Sequence, residues 1–417
     1  MMFTTLCRPV RRMLLTWLGS ALLAPAYALS LDQALDLAVR EAPSLAAQAA
    51  ERQAARSAAV PAGELPDPRL ALGLQNLPIE GDSAWDPNAE RMTMQRIGLM
   101  QEVPSRAKRA ARVDLAQAQV GLADARMAVE LLAVRQQAAE AWLMTRAVEE
   151  KLDVFKALYA ENRLLSRAVD ARLASGEGLT ADSIGPRQEA ALLADREDEL
   201  QRQHAQARAQ LRRWIGDSAA QPLSGGWPQW PVDAEQYRGS LQRHPQLQVF
   251  DPLTRQAQAQ LQSAIAEKKP DWSWGVDYLR RDSTFGDMVN LSVTFDLPVF
   301  TASRQDPAIE AERARLQRVD AQREAVARRY QSDLSEALAE YQRLESTLAR
   351  SQRTLVPLAE QKVELAMADY RSGRGSLAGV ISAREQLIDA RLRHIDLARD
   401  RSLSNARLYF AFGADRP

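Results

Sequence analysis

Apolar and polar residues alternate with period two in short stretches of the 417-residue chain. Trp272, Trp274, Val276 and Tyr278 alternate with Asp271, Ser273, Gly275 and Asp277. Val289, Leu291, Val293, Phe295 and Leu297 alternate with Asn290, Ser292, Thr294 and Asp296. Leu70, Leu72 and Leu74 alternate with Arg69, Ala71 and Gly73, and a less regular partner spans 92–103. This period predicts strands with one apolar face and one small or charged face. They fall into two hairpins, 69–103 and 271–298. Pro68 and Pro270 force the chain to enter each one extended. The first hairpin has a long polar loop, the second a short one at 281–287.

After each hairpin the pattern becomes helical. No proline occurs between Pro104 and Pro186, and alanine dominates the stretch. Alanine is the best helix former and lets neighbouring helices approach closely. Leu115, Leu122, Val129, Leu132, Ala139 and Trp142 recur at sevens, threes and fours, a period that suggests coiled-coil packing. The pattern predicts a rod over 105–174 and a second over 307–371. Each is several times the usual globular helix, and the second would run to about 100 Å. Asp306 reads as the second rod's N-cap and Pro307 as its first residue. Pro357 predicts a bend. Return helices follow at 180–214, with Pro186 a kink, and at 377–410. Shorter helices precede the hairpins at 44–59 and 246–268.

The chain is therefore written twice. Pro43, Leu45, Pro68 and Gly73 fall on Pro245, Leu247, Pro270 and Gly275 at one spacing. The run from Ile97 to Pro104 falls on that from Leu291 to Pro298. Ser175, Gly176, Gly178, Ile184 and Arg187 fall on Ser372, Gly373, Gly375, Ile381 and Arg384. Gly216 falls on Gly413. Ordered anchors of this kind predict tandem repeats over 29–220 and 235–417. A linker punctuated by Pro222, Gly225, Gly226, Pro228 and Pro231 joins them within 221–234.

Composition narrows the picture at the N-terminus. Arg8, Arg11 and Arg12 precede an apolar run from Met13 to Leu23, and Ala26 and Ala28 frame a small-residue cleavage site. That reads as a secretory signal peptide over 1–28. Its removal takes away Cys7, the chain's one cysteine, and three arginines, leaving a small excess of acids. No later run is long and apolar enough for a membrane-spanning helix. A β-barrel, whose lipid-facing residues merely alternate, stays open.

Four strands cannot close a barrel, because single-chain barrels begin at about eight. An open edge in lipid leaves backbone groups unsatisfied at several kcal/mol each. The strands must therefore close with those of other chains, and three chains give twelve. Helices leaving such a barrel would wall a hollow tube.

In this respect the chain resembles the TolC-type outer-membrane efflux family over nearly its whole length after residue 28. The resemblance rests on the duplicated helix–hairpin–rod order. It rests also on the turns at Gly176 to Leu179 and Tyr370 to Leu377, and on the aromatic-to-glycine ends at Trp214–Gly216 and Tyr409–Gly413. The segment from Pro66 to Pro104, followed by Lys108 and Arg109, resembles the cobalt–zinc–cadmium and copper-resistance (CzcC/CusC-like) branch. The family implies a mainly α fold with a small β part. In it, a homotrimer forms a twelve-stranded outer-membrane barrel that continues into a periplasmic α-helical barrel. It implies an exit duct of a tripartite efflux system, with a periplasmic adaptor (membrane fusion) protein and a proton-driven inner-membrane RND pump as partners. Heavy-metal cations are the implied cargo, with drugs, other small molecules or type I secretion as the alternative. A secreted coiled-coil scaffold without a pore is the reading from a different class.

The resemblance also places sites. It makes the far turns, Ser175, Gly176, Gly178 and Leu179 with Ser372, Gly373, Gly375, Ser376 and Leu377, the tips that dock the adaptor. In relatives, carboxylates just past these turns ring the closed pore. Here Gly379 and Ser382 stand at the second-repeat positions, and Asp182 is the counterpart of Gly379. Three Asp182 carboxylates would then form the periplasmic gate, attracting cations, with Arg187 or Arg384 nearby. Trp272, Trp274, Tyr278 and Phe295 would face lipid, the aromatic rings as interface anchors.

Catalytic chemistry finds no motif. His204, His244 and His394 are scattered, without a second histidine at ligand spacing, and read as surface or packing residues. No metal site, cofactor or nucleic-acid partner is expected. Met92, Met94 and Met100 could share the bore of the barrel, where thioethers suit soft Cu(I), although methionine more often fills space.

Overall fold

In the computed structural model of the chain, residues 28–413 are described, except 83, 89, 177 and 178. The expected signal peptide, apart from Ala28, and Gly178 lie outside the described residues. Two short helices, α1 (Leu31–Glu41) and α2 (Pro43–Ala59), lead to strands β1 (Arg69–Gln75) and β2 (Met94–Val103). The rod α3 (Arg106–Ala174) and the return helix α4 (Ile184–Ile215) follow. The second half runs α5 (Ala234–Ser240), α6 (Pro245–Gln248), α7 (Phe250–Ala266), β3 (Trp272–Arg280) and β4 (Met288–Phe295). It closes with α8 (Gln305–Arg350), α9 (Val356–Arg371) and α10 (Leu377–Phe412).

At 69 residues, α3 is about 100 Å long. The Ser105 hydroxyl starts it by accepting from the Lys108 backbone N–H at 3.3 Å. Gly176 ends it at φ +80°. At the end of α9, Gly373 stands at φ +75°. Its N–H donates to the Tyr370 carbonyl at 3.1 Å, and the Arg374 N–H reaches back to the Asp369 carbonyl at 2.9 Å. This pair of bonds is the Schellman stop, and the left-handed residue it needs favours glycine.

Three helix details differ from the sequence reading. The second rod begins at Gln305, so Asp306 and Pro307 occupy its first turn, and Asp306 pairs with Lys268 instead of capping. Proline is tolerated throughout that turn, because the first N–H groups have no intrahelical partner. The rod is also not one continuous α-helix. Residues Ser351–Leu355 form a π-helical turn just ahead of Pro357. The Pro357 ring clashes with the carbonyl four residues back, and a widened turn relieves this. Finally, α4 begins at Ile184, which puts Pro186 in its first turn and removes the reason for a kink.

The four strands form one antiparallel sheet in the order β1-β2-β3-β4. Its central pairing, Gln95↔Arg280 through Val103↔Trp272, joins the two halves of the chain. Strands β1 and β4 are left as edges. The largest core lies midway along α3, where Trp142 is fully buried and its indole N–H donates to the Leu29 carbonyl at 3.2 Å. Around it pack α1, the ends of α4 and α10, and the linker. Trp230 stacks on Tyr409 with ring centroids 5.0 Å apart, and Asn405 bonds both its backbone N–H and its carbonyl. The short segments thus make a belt around the middle of the rods.

Candidate functional site: the sheet faces and the far turns

Residues directly opposite each other in a sheet share a face. The register therefore collects the apolar positions of all four strands on one side. Leu70 and Leu72 lie opposite Leu99 and Ile97. These lie opposite Val276 and Tyr278, which meet Leu291 and Val289. Trp272 meets Phe295, and Trp274 meets Val293. Nearly all of these side chains are exposed, Leu291 by 75%. A continuous apolar face this size on an otherwise polar chain needs a covering.

The opposite face carries Arg69, Ala71, Gly73, Arg96, Gly98, Met100, Glu102, Ser273, Gly275, Asp277, Asn290, Ser292 and Thr294. Its charges are paired. Arg96 Nε donates to Asp277 Oδ1 at 2.7 Å between the two halves of the chain. Arg69 lies 3.8 Å from Glu102. A Cβ on Gly98 would sit 2.0 Å from Asp277 Oδ1, so the glycine makes room for that carboxylate. Met94 and Met100 share this face, whereas Met92 precedes β2.

At the far end of the rods, Ser175, Gly176 and Leu179 are exposed, as are Ser372, Gly373, Gly375 and Ser376. Leu377 is not. It is 3% exposed and packs on Leu165, Val169, Tyr370 and Val380. Its place as the first residue of α10, after the Ser376 cap, turns it toward α3 and withdraws it from the tip surface. Asp182 lies in the 3₁₀ turn Thr180–Ser183 and lines a groove of about 440 Å³ with Ile184, Gln188, Leu192, Ile381, Ser382 and Glu385.

Arg187 is exposed. Arg384, expected beside the gate, is instead buried between helices. Its Nε lies 2.9 Å from Glu189 Oε1, and a second nitrogen lies 3.4 Å from Glu161. Asn162 holds Glu189 at 2.9 Å and the Pro186 carbonyl at 3.0 Å. Local sequence gives no sign of this cluster, because Arg384 and Glu189 are 195 positions apart.

His204 lies 3.3 Å from Glu149, and His394 lies 3.3 Å from Ser351. His244 is buried against Tyr330, at 4.6 Å between ring centroids, and burial pushes its pKa down to about 4. Among the described residues no group of three or more His, Cys, Asp or Glu side chains could hold a metal ion. No described helix is long and apolar enough to cross a membrane.

In comparison with known families, residues 237–414 match the outer membrane efflux protein family. That match lies within the second half of the chain. Solved structures share the fold over nearly the whole length. A membrane protein from Pseudomonas aeruginosa superposes with a TM-score of 0.80 at 19% identity, covering 92% of each chain. The outer membrane protein VceC from Vibrio cholerae gives 0.74 at 18% identity, covering 91% of this chain and 95% of that one. CusC, described with transmembrane channel formation, gives 0.76 at 17% identity, covering 92% and 91%. No curated protein matches in sequence.

Proposed function

We propose that this chain is one third of an outer-membrane exit duct. Three copies close their sheets into a twelve-stranded barrel, and the rods continue it as a helical tube into the periplasm. The observation that carries this reading is the sheet: one continuous apolar face, one polar face with paired charges, and two unpaired edges. Strand β4 presents eight residues with no charge, and β1 seven with one. Soluble proteins blunt or cover such edges. In lipid an open edge is more costly still, and only closure removes it. The apolar face then meets acyl chains, with Trp272, Trp274, Tyr278 and Phe295 in the band.

The duct does no chemistry of its own. The exposed turns around Gly176 and Gly373 are placed to receive a periplasmic adaptor, and an inner-membrane RND pump supplies the energy. Asp182 of three copies narrows the entrance. The likeness to CusC supports heavy-metal cations as cargo. The likeness to other efflux channels supports small organic molecules as the second reading. Deleting the gene and measuring tolerance to zinc, cobalt, cadmium and copper beside a drug panel separates the two. Loss of metal tolerance alone supports the first, and loss of drug tolerance alone the second. Purified protein that forms no conducting channel in planar bilayers overturns both.

A further inference from the structure

Tyr370, near the end of α9, and Arg384, near the start of α10, are each only 6% exposed. Each keeps one buried polar atom with no hydrogen-bond partner among the described residues: the Tyr370 hydroxyl and Arg384 Nη2. The other two Arg384 nitrogens are engaged, Nε by Glu189 and Nη1 by Glu161. At the spacing that puts Gly176 on Gly373, Tyr370 falls on Leu173. Leu173 packs against the same cluster as Tyr370 without a hydroxyl. Packing at a rod end therefore does not require one. Buried polar groups are nearly always partnered, so these two atoms ask for a partner of their own.

Both side chains line one groove of about 570 Å³ between the rods α3 and α9, backed by α10. Leu164, Leu165, Val363, Met367 and Leu387 supply its apolar walls. Arg391 on α10 reaches across one end, 3.0 Å from Glu360 on α9 and 3.7 Å from Glu161 on α3. At the other end Arg172 on α3 lies over the Tyr370 ring, 4.5 Å from its centroid, and donates to the Tyr370 carbonyl at 2.8 Å. All of these residues belong to one chain, so the groove is complete without a second copy. An apolar cleft of this size with a few convergent polar groups is the usual form of a small-ligand site.

We infer that this groove binds a small amphiphile through a carbonyl or carboxylate oxygen. A guanidinium only donates, and a tyrosine hydroxyl can donate as well. An acceptor oxygen in the groove completes Arg384 and takes the Tyr370 proton. An ammonium also only donates, so it cannot serve Arg384. Glu161 and Glu360 do not meet that oxygen as free charges, because Arg384 and Arg391 already engage them. At the rim, the exposed Glu364 and Arg371 offset each other. The apolar tail lies on Leu164 and Met367. Such an occupant touches α3, α9 and α10 at once, and so joins the two halves of the chain above their far turns.

The test uses the full-length protein extracted in detergent and three probes of one size: hexanoate, hexanamide and hexylammonium. Saturation-transfer NMR at millimolar probe is expected to show the first two bound and hexylammonium not. The ratio of hexanoate to hexanamide binding then says whether the oxygen carries charge. Tyr370→Phe removes the hydroxyl alone and is expected to weaken binding by roughly two- to tenfold. Met367→Trp fills the groove and is expected to abolish it. Should Met367→Trp fail to fold, Tyr370→Phe decides alone. Partition of a probe into detergent is the same for wild type and variants, so a signal that no folded variant changes overturns the site. Binding of hexylammonium alone, or of no probe at all, overturns the inference as well. Each of these failures leaves the duct reading standing, because conductance in planar bilayers tests that reading separately.

Discussion

Arg384 on α10 and Glu189 on α4 form a buried ion pair, 2.9 Å apart, in which neither side chain is more than 7% exposed. Glu161 and Asn162 on α3 complete it, so one cluster binds three helices from both halves of the chain. Removing one partner of such a pair strands the other charge in an apolar setting, at about 3–5 kcal/mol. Glu189→Ala and Arg384→Ala are each expected to lower the thermal stability of the purified protein by that order. The double variant Arg384→Met with Glu189→Met is expected to recover most of the loss. Calorimetry of all three in detergent checks this.

The two sheet faces give a position-specific expectation. Leu291 faces the apolar side and Ser292 the polar side. Arginine on the lipid face near mid-membrane costs about 2–4 kcal/mol, whereas bore substitutions tune selectivity instead. Leu291→Arg is expected to reduce the folded, heat-modifiable fraction recovered from outer membranes, and Ser292→Arg to leave it near wild type. Quantitative gels of membrane fractions distinguish the two.

Asp182 is the chain's candidate for the entrance constriction. Asp182→Ala is expected to raise single-channel conductance and to reduce preference for cations over anions. Planar-bilayer recordings with a salt gradient measure both. Unchanged conductance and selectivity would remove Asp182 from the gate.

His244 adds a pH dependence. Its pKa is lowered to about 4 by burial, against 6.5 for the free side chain. Between those values the unfolded chain binds a proton that the folded chain does not, so stability rises with pH across that window. Above it the His244 contribution is fully present. As pH falls through it, the contribution is lost. His244→Asn is expected to flatten the dependence of the melting temperature between about pH 4 and 6.5. Melting curves across that range check it.

Much of this architecture was legible because its signals are local. Alternation at Trp272–Tyr278 gives a strand whatever lies beside it, and glycine after a long alanine-rich stretch gives a helix stop at Gly176. Where a helix begins was less legible. Proline is equally at home in any position of the first turn, so Pro307 fixed its helix start only to within a few residues, and Pro186, read as a kink within a helix over 180–214, stands in the first turn of one that begins at Ile184. Pro357 announced an interruption, but the distortion settled upstream, around the carbonyl that its ring displaces. Side-chain direction at the rod ends was not legible at all. Leu377 turns inward and Arg384 joins Glu189 because of how α10 is rotated against α3 and α4. That rotation is set by packing between segments far apart in the chain.

The central claim is that the sheet is incomplete in one copy and closes only among three. Native mass spectrometry of the protein extracted in detergent from outer-membrane fractions tests it most directly. A trimer that survives extraction and dissociates to single chains only on heating agrees with the claim. A water-soluble single chain recovered from the periplasmic fraction, with none in the membrane, contradicts it.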